Sequence, residues 1–195
     1  MKLEVSKDLI IINKELSVLD ELVINFVSLI DFDYVIVSGY LPILFGRVRT
    51  TEDIDVIIKV DEKKFSGFCE KLKDYYFLNC SEKEAFSFLK DGLSVRIARK
   101  NSVFPNFELK LAKTRVHKYS LRNKKKVKLN SNVVNISPFE VQIAYKLFLG
   151  SDKDFEDARY LFDLFKNHLK IEELKYFIKE LNIKNKVVKK VLGEF

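Results

Sequence analysis

Residues 35–60 read VIVSGYLPILFGRVRTTEDIDVIIKV, and this stretch decides the fold. It begins with an apolar β-branched run and continues through a small-residue turn and a short apolar segment. After a polar loop it ends in a second β-branched run. Such a pattern predicts a strand, a tight turn, a helix, a loop and a second strand. Polar residues occur at three places in this pattern: the small-residue turn, the loop and the start of the second run. Their side chains indicate a binding or catalytic site in addition to the fold.

Asp53 and Asp55 stand at the head of the second run. Residues two apart in a strand point to the same face, so the two carboxylates lie side by side. The continuation, VII at 56–58, is typical of a strand that is buried on both faces. Like charges at this spacing disfavour each other, and partial burial adds a desolvation cost. A cation would relieve both effects, and hard carboxylate oxygens suit Mg²⁺.

A small turn and two arginines precede these aspartates. Ser38 and Gly39 occur where the first strand ends and the helix begins, and the unpaired N–H groups of a helix start favour phosphate. Glycine there lets a ligand approach the backbone closely. Arg47 and Arg49 lie in the following loop, and a guanidinium is a good phosphate clamp. The stretch therefore predicts a site for a nucleoside triphosphate and its metal ions.

These features resemble the signature of the nucleotidyltransferase superfamily that shares the DNA polymerase beta fold. In that signature a hydrophobic strand leads to Gly-Gly or Gly-Ser, and Asp-hydrophobic-Asp-hydrophobic follows about a dozen residues later. Here residues 40–52 separate Gly39 from DIDV at 53–56. The chain departs from the signature at the first turn position, where Ser38 stands in place of glycine.

Two looser motifs are similar to the prokaryotic branch that contains the abortive-infection (AbiEii) type IV toxins. The first is the pattern R-x-T-x-D-I-D at 49–55. The second is Lys146 on one predicted helix, followed by KDFED at 153–157 on the next. In that branch such residues face the active-site cleft. The alternative is that Asp154 and Asp157 are acids near a helix N-terminus that only satisfy the helix dipole. The resemblance covers residues 35–164.

The segment NFELKLA at 106–112 supplies a third carboxylate. Its alternation predicts a strand with Phe107 and Leu109 on one face and Glu108 and Lys110 on the other. In the superfamily a third acid comes from a later strand beside the Asp-x-Asp strand, and Glu108 matches it in type and context. The alternative is a half-exposed strand whose Glu108 and Lys110 are solvated.

The resemblance implies an α+β fold, with a nucleotidyltransferase-type mixed β-sheet flanked by helices and followed by a C-terminal helical subdomain. The predicted division is a core at 1–136, including a basic helix and hairpin at 113–136, and helices at 137–195. The implied reaction moves a nucleoside monophosphate from a triphosphate to a hydroxyl acceptor. Two Mg²⁺ ions, or Mn²⁺, would be held by Asp53, Asp55 and Glu108, with Glu108 as the general base. The nucleotide-binding residues implied are Ser38, Gly39, Arg47, Arg49, Thr51, Lys110, Lys146, Asp154 and Asp157.

Residues 113–128 are strongly basic, and two interpretations remain open. They could form a track for an acceptor RNA backbone, or a charged sheet edge that blocks strand pairing. The predicted nucleic-acid contacts are Lys113, Arg115, Lys118, Arg122, Lys124, Lys125 and Lys126.

Helix and turn signals complete the predicted element order. Three residues are predicted to cap helices: Ser17 for 17–30, Asp61 for 61–75 and Ser81 for 81–89. The motif SPFE at 137–140 predicts a further start, with Ser137 as N-cap and Pro138 as the first helical residue. Gly150 is predicted to end that helix. Residues 126–136 predict a hairpin, and everything after 137 is predicted to be helical.

Composition sets the class of protein. The 195 residues carry a net charge of +7, which suits either a polyanionic partner such as RNA or a lysine-rich surface. No apolar run approaches the roughly 18 residues of a membrane span, and the N-terminus lacks a signal pattern. Two cysteines are too few for a disulfide framework, and His117 and His168 lack metal-ligand spacing. These features predict a cytoplasmic protein without membrane contact.

Two alternatives to the enzyme are kept open. In the first, the fold is a catalytically inactive binding module for nucleic acid or protein, and Lys110 pairs with Asp53 or Asp55. In the second, the Asp-Ile-Asp motif only caps a turn, so its acids are exposed, separated and far from Glu108. For the enzyme, the acceptor is a tRNA 3′ end or other RNA, a protein hydroxyl or a small molecule. Relatedness to toxins suggests an antitoxin partner, but fold-level analogy is a weak guide to biology.

Overall fold

The strands form one mixed nine-stranded sheet in the computed structural model, which describes residues 2–6 and 9–195. Met1, Lys7 and Asp8, which belong to the predicted core, lie outside the described residues. The strands are β1 Lys2–Val5, β2 Leu9–Asn13, β3 Asp33–Val37, β4 Asp53–Lys59, β5 Tyr76–Leu78, β6 Val95–Arg99, β7 Asn106–Leu111, β8 Lys125–Leu129 and β9 Asn132–Ile136. Their order across the sheet is β1-β2-β8-β9-β3-β4-β7-β6-β5. The β2–β8, β3–β9 and β4–β7 pairs are parallel and the others antiparallel.

The helices follow the predicted signals closely. They are α1 Val18–Ser28, α2 Tyr40–Leu44, α3 Glu62–Leu72, α4 Glu82–Asp91, α5 Arg115–Arg122, α6 Phe139–Leu149, α7 Asp152–Phe165, α8 Ile171–Glu180 and α9 Asn185–Leu192. Ser17, Asp61 and Ser81 cap their helices through side-chain bonds to the third backbone N–H, as predicted. Gly150 ends α6 with φ 79°, a left-handed conformation that glycine adopts without strain.

The predicted cap at Ser137 is wrong. Helix α6 begins after Pro138, which occupies the N-cap position and provides no side-chain hydrogen bond. Ser137 is buried, and its hydroxyl donates to the Ser120 hydroxyl of α5 at 3.0 Å. Glu140, the expected partner in a capping box, accepts from the Lys170 backbone N–H at 2.8 Å. The Ser137 hydroxyl and the Glu140 carboxylate, which would form a local capping box, therefore bind α5 and the start of α8 instead.

The two faces of β4 and β7 have different surroundings. Ile54, Val56 and Phe107 join the main apolar core, where the Phe26 ring of α1 stacks on Phe107 with centroids 3.6 Å apart. On the opposite face a small second cluster forms where Leu121 of α5 packs against the sheet. At the heads of β4 and β7 this face lines a cavity, together with residues of α5 and α6.

Strand β8 lies inside the sheet, between β2 and β9. The interpretation of the basic segment as a charged edge that blocks pairing is therefore wrong for β8. The apolar run at 9–12 is compatible with either a strand or a helix start, and the sequence does not predict the short strand β5. Ile10 and Ile12 of β2 are buried in the core, and β2 pairs with the lysine-rich β8 in parallel.

The apolar core continues across the predicted boundary at 136. The Phe139 ring of α6 stacks on Phe165 of α7, with centroids 3.7 Å apart, and Phe45 packs edge-on against both. These residues belong to the same buried cluster as the sheet. The division into a core and a helical subdomain stays a prediction. In the described part of the chain, no helix has the length and apolarity needed to span a membrane.

Candidate active site

The three predicted carboxylates line one cavity. Parallel pairing of β4 with β7 sets Asp55 directly beside Glu108, and Asp53 precedes Asp55 on the same face. The cavity has a volume of about 260 Å³. It is lined by Val37, Ser38, Asp53, Asp55, Ile57, Glu108, Lys110, Val116, His117, Ser120, Val141, Gln142, Tyr145 and Leu149. The alternative in which the acids are exposed, separated and far from Glu108 is therefore wrong.

Two cations bind these carboxylates. The Lys110 ammonium lies 2.9 Å from Asp55 Oδ1 and 3.4 Å from Glu108 Oε2. Arg96 of β6, which stands opposite Glu108 in the sheet, donates from Nε to Glu108 Oε1 at 2.8 Å. Because one ammonium contacts both acids, these oxygens of Asp55 and Glu108 are no farther apart than the sum of its two distances. Pairing of Lys110 with Asp55 is also the contact that the binding-module alternative predicts.

The pKa shifts separate the carboxylates into two kinds. Burial raises the pKa of Asp53, and the charges of Asp55 and Glu108 raise it further. Burial would also raise the pKa of Glu108, but the hydrogen bond from Arg96 and the charge of Lys110 outweigh it and lower that pKa. For Lys110, burial would lower the ammonium pKa, but Asp55 and Glu108 together raise it. Glu108 is thus held ionised by its partners, whereas Asp53 carries an ionisation cost that a bound cation would remove.

The donor set fits one divalent ion. Among the described residues, no group of three or more Asp, Glu, His or Cys side chains is arranged to hold a metal ion. Mg²⁺ is usually bound by only one or two carboxylates together with waters and substrate phosphates, and Asp53 and Asp55 can provide those two. Both oxygens of Glu108 already accept from Arg96 or contact Lys110. Two ions spread over all three acids would have to compete with these cations for the Glu108 oxygens, and the predicted pair of ions stays a prediction.

The turn before α2 is shaped by protein contacts. Ser38 has a left-handed φ of 64°, which is strained for a residue with a side chain and explains why glycine suits this position. Its backbone N–H donates to Gln142 Oε1 at 2.7 Å. A side chain on Gly39 would meet Arg49 Nη2 and Thr51 Oγ1, each at 3.0 Å. The close approach at Gly39 is thus made by this protein's own side chains, and the phosphate cradle stays a prediction.

Replacement of Gly39 with alanine is expected to lower the free energy of unfolding by about 1–3 kcal/mol, the usual cost of overpacking. The added methyl would push against the Arg49 guanidinium, which is held in place by Asp157 and by the Gly39 carbonyl. Urea unfolding measures the change. Gly67→Ala on α3 is the matched control, because nothing lies within 4 Å of its added methyl. A Gly39→Ala variant as stable as the control would contradict the packing described here.

The predicted phosphate-binding residues of the loop and of helices α6 and α7 bind each other. Arg49 donates to Asp157 from Nε at 3.0 Å and from Nη2 at 2.8 Å. Lys146 contacts Asp154 at 2.7 Å and Asp157 at 3.0 Å. Arg47 also bonds to Asp157. These residues do not line the carboxylate cavity, and their role in nucleotide binding stays a prediction.

This buried ion-pair network links α6 and α7 to the loop that leads into β4. Arg49 Nη2 donates to the Gly39 carbonyl at 2.8 Å, and Thr51 Oγ1 donates to the Asp53 carbonyl at 3.0 Å. The network thereby fixes the segment immediately before the first catalytic candidate. Lys153 on α7 acts on Asp53 separately from this network, since its charge lowers the pKa of Asp53 against the larger raising effects of burial, Asp55 and Glu108.

Several residues of the site were missed from the sequence. Arg96 could have been found, because Val95 and Ile97 on either side are buried and alternation places Arg96 on the cavity face. His117 and Tyr145 lie in helices whose orientation only the tertiary structure provides. Burial lowers the pKa of His117, and its buried Nδ1 has no hydrogen-bond partner within residues 2–6 and 9–195.

The basic residues lie around the cavity and not in it. Val116, His117 and Ser120 are the α5 residues that line the cavity, whereas the basic residues of α5 lie elsewhere on the helix. Some of the basic residues have partners: Arg115 pairs with Glu180, Lys124 pairs with Asp33, and Lys113 bonds to the Lys90 carbonyl. Lys118, Arg122 and Lys126 are exposed. Contact with nucleic acid stays a prediction for the whole set.

Comparisons with known proteins support the fold. No protein-family model matches the chain, and no curated protein matches it. Among solved structures, the chain is similar to an antigenic nucleotidyltransferase-like protein from Paracoccidioides brasiliensis, with a TM-score of 0.51 and 16% sequence identity. The match covers 89% of this chain and 91% of that chain. Identity this low bears on the fold alone, and the relation to the AbiEii branch stays a prediction. The chain has, as predicted, a nucleotidyltransferase-like fold with a large mixed sheet flanked by helices and a helical C-terminal part.

Proposed function

We propose that the protein is a metal-dependent nucleotidyltransferase that moves a nucleoside monophosphate from a triphosphate to a hydroxyl acceptor. The observation that carries this proposal is the convergence of Asp53, Asp55 and Glu108 from two neighbouring parallel strands into one cavity. The nucleotidyltransferase-like fold around that cavity supports it. Three acidic groups at one position of a sheet are costly to keep together unless a cation compensates them.

Within this proposal Asp53 and Asp55 hold Mg²⁺, or Mn²⁺ in its place. When bound, the ion supplies positive charge that neutralises the triphosphate and stabilises the leaving pyrophosphate. Asp53 gains most from it, because its pKa is raised by burial and by its acidic neighbours. The base role of Glu108 stays a prediction, since its pKa is lowered and a strong base needs a pKa near the working pH.

The remaining residues of the site position the substrates. Arg96 is 63% exposed at its side chain and stands beside Glu108, where its guanidinium can reach a phosphate without leaving the site. Lys153 at the start of α7 adds a second positive charge. Tyr145, Val116 and Val141 form an apolar wall of the cavity that suits a ring. Chemistry of this type depends on positioning and charge stabilisation, so no covalent nucleophile is required.

For the acceptor we propose RNA, with a tRNA 3′ end as one candidate. Exposed Lys118 and Arg122 on α5 and Lys126 on β8 are available to contact a phosphate backbone. A toxin-like role and an antitoxin partner belong to the same proposal and rest on the sequence resemblance. A hydroxyl on a protein and a small molecule are the competing acceptors.

The test is to incubate the protein with each α-labelled nucleoside triphosphate, total cell RNA and total cell protein. We expect label in the RNA fraction, in the presence of Mg²⁺ or Mn²⁺ and not after a chelator is added. Label in the protein fraction alone would exclude RNA as the acceptor and identify a protein hydroxyl as the acceptor instead. If no fraction or small molecule is labelled with any triphosphate while the protein remains folded, nucleotidyl transfer is excluded.

A catalytically inactive binding module is the second candidate. It is favoured by the contact of Lys110 with Asp55 at 2.9 Å, since an ammonium already compensates part of the acidic charge. Such a module would retain the fold and bind nucleic acid or a protein without metal chemistry.

Thermal unfolding distinguishes the two candidates. For the enzyme, Mg²⁺ or Mn²⁺ with a triphosphate at about 100 times its Kd is expected to raise the melting temperature by about 5–10 °C, because only the folded state binds it. The metal ion without nucleotide and the nucleotide with chelator are the controls. An inactive module is expected to show no metal-dependent shift with any of the four triphosphates.

A further inference from the structure

The Lys110 ammonium contacts two of the three carboxylates of the candidate active site. It stands between Asp55 and Glu108, at 2.9 Å and 3.4 Å from one oxygen of each. In a two-metal site, divalent ions roughly 3.5–4 Å apart share the same set of carboxylates. Here Asp55 and Glu108, which two ions would share, already contact the positive charge of the Lys110 side chain.

We propose that Lys110 is a tethered cation that replaces one of the two divalent ions, so that the site binds a single ion at Asp53 and Asp55. This inference rests on the proposed function, since it concerns the metal content of the same site. Lys110 is a positioning residue in this scheme, because it acts by holding Asp55 and Glu108 and not on the reacting atoms.

The surroundings of Lys110 keep its ammonium between the two acids. Glu108 and Lys110 are two residues apart on β7 and therefore share the cavity face. Glu108 is fixed from its other side by Arg96, whose Nε lies 2.8 Å from Oε1. Asp55 is fixed by the pairing of β4 with β7. The lysine side chain is 36% exposed, so most of its surface lies against the protein.

The net charge of the acidic and basic side chains also favours a single divalent ion. Asp53, Asp55 and Glu108 together carry three negative charges when ionised. Lys110 and Arg96 contribute two positive charges, which leaves one negative charge. One divalent ion is sufficient to compensate what remains. A second ion at the Asp55–Glu108 gap would have to displace the ammonium or stand beside it, and like charges so close together repel.

The experiment counts Mn²⁺ ions. The full chain is dialysed against Mn²⁺ with non-hydrolysable analogues of the four nucleoside triphosphates, and electron paramagnetic resonance tests the bound ions for magnetic coupling. We expect one uncoupled ion per chain for the unmodified protein. Lys110→Met, which removes the charge and keeps the length, is expected to bind two coupled ions. Lys71→Met is the matched control and is expected to bind one, since Lys71 is an exposed lysine that pairs with the exposed Asp31.

The outcomes separate this inference from the proposed function. Two coupled ions in the unmodified protein would overturn the inference and leave nucleotidyl transfer intact. A single ion in folded Lys110→Met would also overturn it. No bound ion with any analogue would overturn both proposals. Lys110→Gln serves as a second variant if Lys110→Met does not fold, and the count for the unmodified protein is decisive by itself.

Discussion

The Asp53→Asn variant is expected to lose nucleotide incorporation by at least about 10³-fold while becoming more resistant to unfolding. The loss is expected because Asp53 is a proposed ligand of the metal ion. The charge of that ion stabilises the transition state and lowers the activation barrier by several kcal/mol. Asparagine keeps the size of the side chain, and the strand pairing of β4 does not depend on its charge. Incorporation of labelled nucleotide measures the first effect and urea unfolding the second.

The gain in stability follows from the sign of the pKa shift. The pKa of Asp53 is raised in the folded state, by burial first and then by Asp55 and Glu108. The folded state therefore favours the protonated acid, and the ionised form costs stability at every pH above the ordinary Asp range. This cost disappears as the pH falls through the folded-state pKa, and asparagine removes it at neutral pH.

Asp163→Asn is the control for this variant. Asp163 is exposed on α7 and pairs with Arg159 one helical turn away, so its loss is expected to change stability by less than about 0.5 kcal/mol. Its activity is expected to be unchanged. An Asp53→Asn protein that retains more than about a tenth of the activity would remove the metal-binding role from this residue.

The Asp157→Ala variant is expected to lower the free energy of unfolding by about 3–5 kcal/mol, a large part of the stability of an ordinary domain. The Asp157 side chain is 0% exposed and accepts from Arg49 and Lys146, and it also bonds Arg47. The Lys146 side chain is only 3% exposed, so removal of Asp157 leaves a buried ammonium with Asp154 as its remaining carboxylate. The cost is that of a buried charge left without full compensation.

Urea unfolding with an unchanged m-value would measure this loss. Asp163→Ala lies on the same helix and removes the same side chain from an exposed ion pair, so it is expected to cost less than about 1 kcal/mol. If the two variants are equally stable, the network does not contribute as described. The loop before Asp53 would then be held by other contacts.

Much of the candidate site followed from local pattern. Alternation in NFELKLA placed Glu108 and Lys110 together on one face, and the Asp-Ile-Asp spacing did the same for the two aspartates. Capping residues predicted the starts of α1, α3 and α4. These features depend on residues within a few positions of each other, where backbone geometry by itself decides the neighbours. The same local alternation in β6, with Val95 and Ile97 on the buried face, also places Arg96 on the polar face.

Other parts depended on contacts that local pattern does not encode. Residues 47 and 49 are predicted as nucleotide contacts from their chemistry, and residues 146, 154 and 157 from the family resemblance. The fold pairs these residues with each other. A guanidinium that suits phosphate suits a carboxylate equally well, and the fold decides which of the two it meets. Ser137 shows the same effect for a helix start, where a hydroxyl from α5 replaces the expected local bond.

The sequence by itself determined which faces of β4 and β7 are polar, where helices α1, α3 and α4 begin, and that acids and cations occur together near residues 38–55 and 108–110. Only the tertiary structure decided which partners those groups have. The strand register that brings Asp55 beside Glu108 also brings Lys110 onto Asp55, 55 positions away in the chain. The pairing of Arg47 with Asp157 joins positions 110 apart. The periodicity of apolar residues and the conformational propensity of each residue act within one helix or strand. Which partner a buried charge has depends on how separate helices and strands pack.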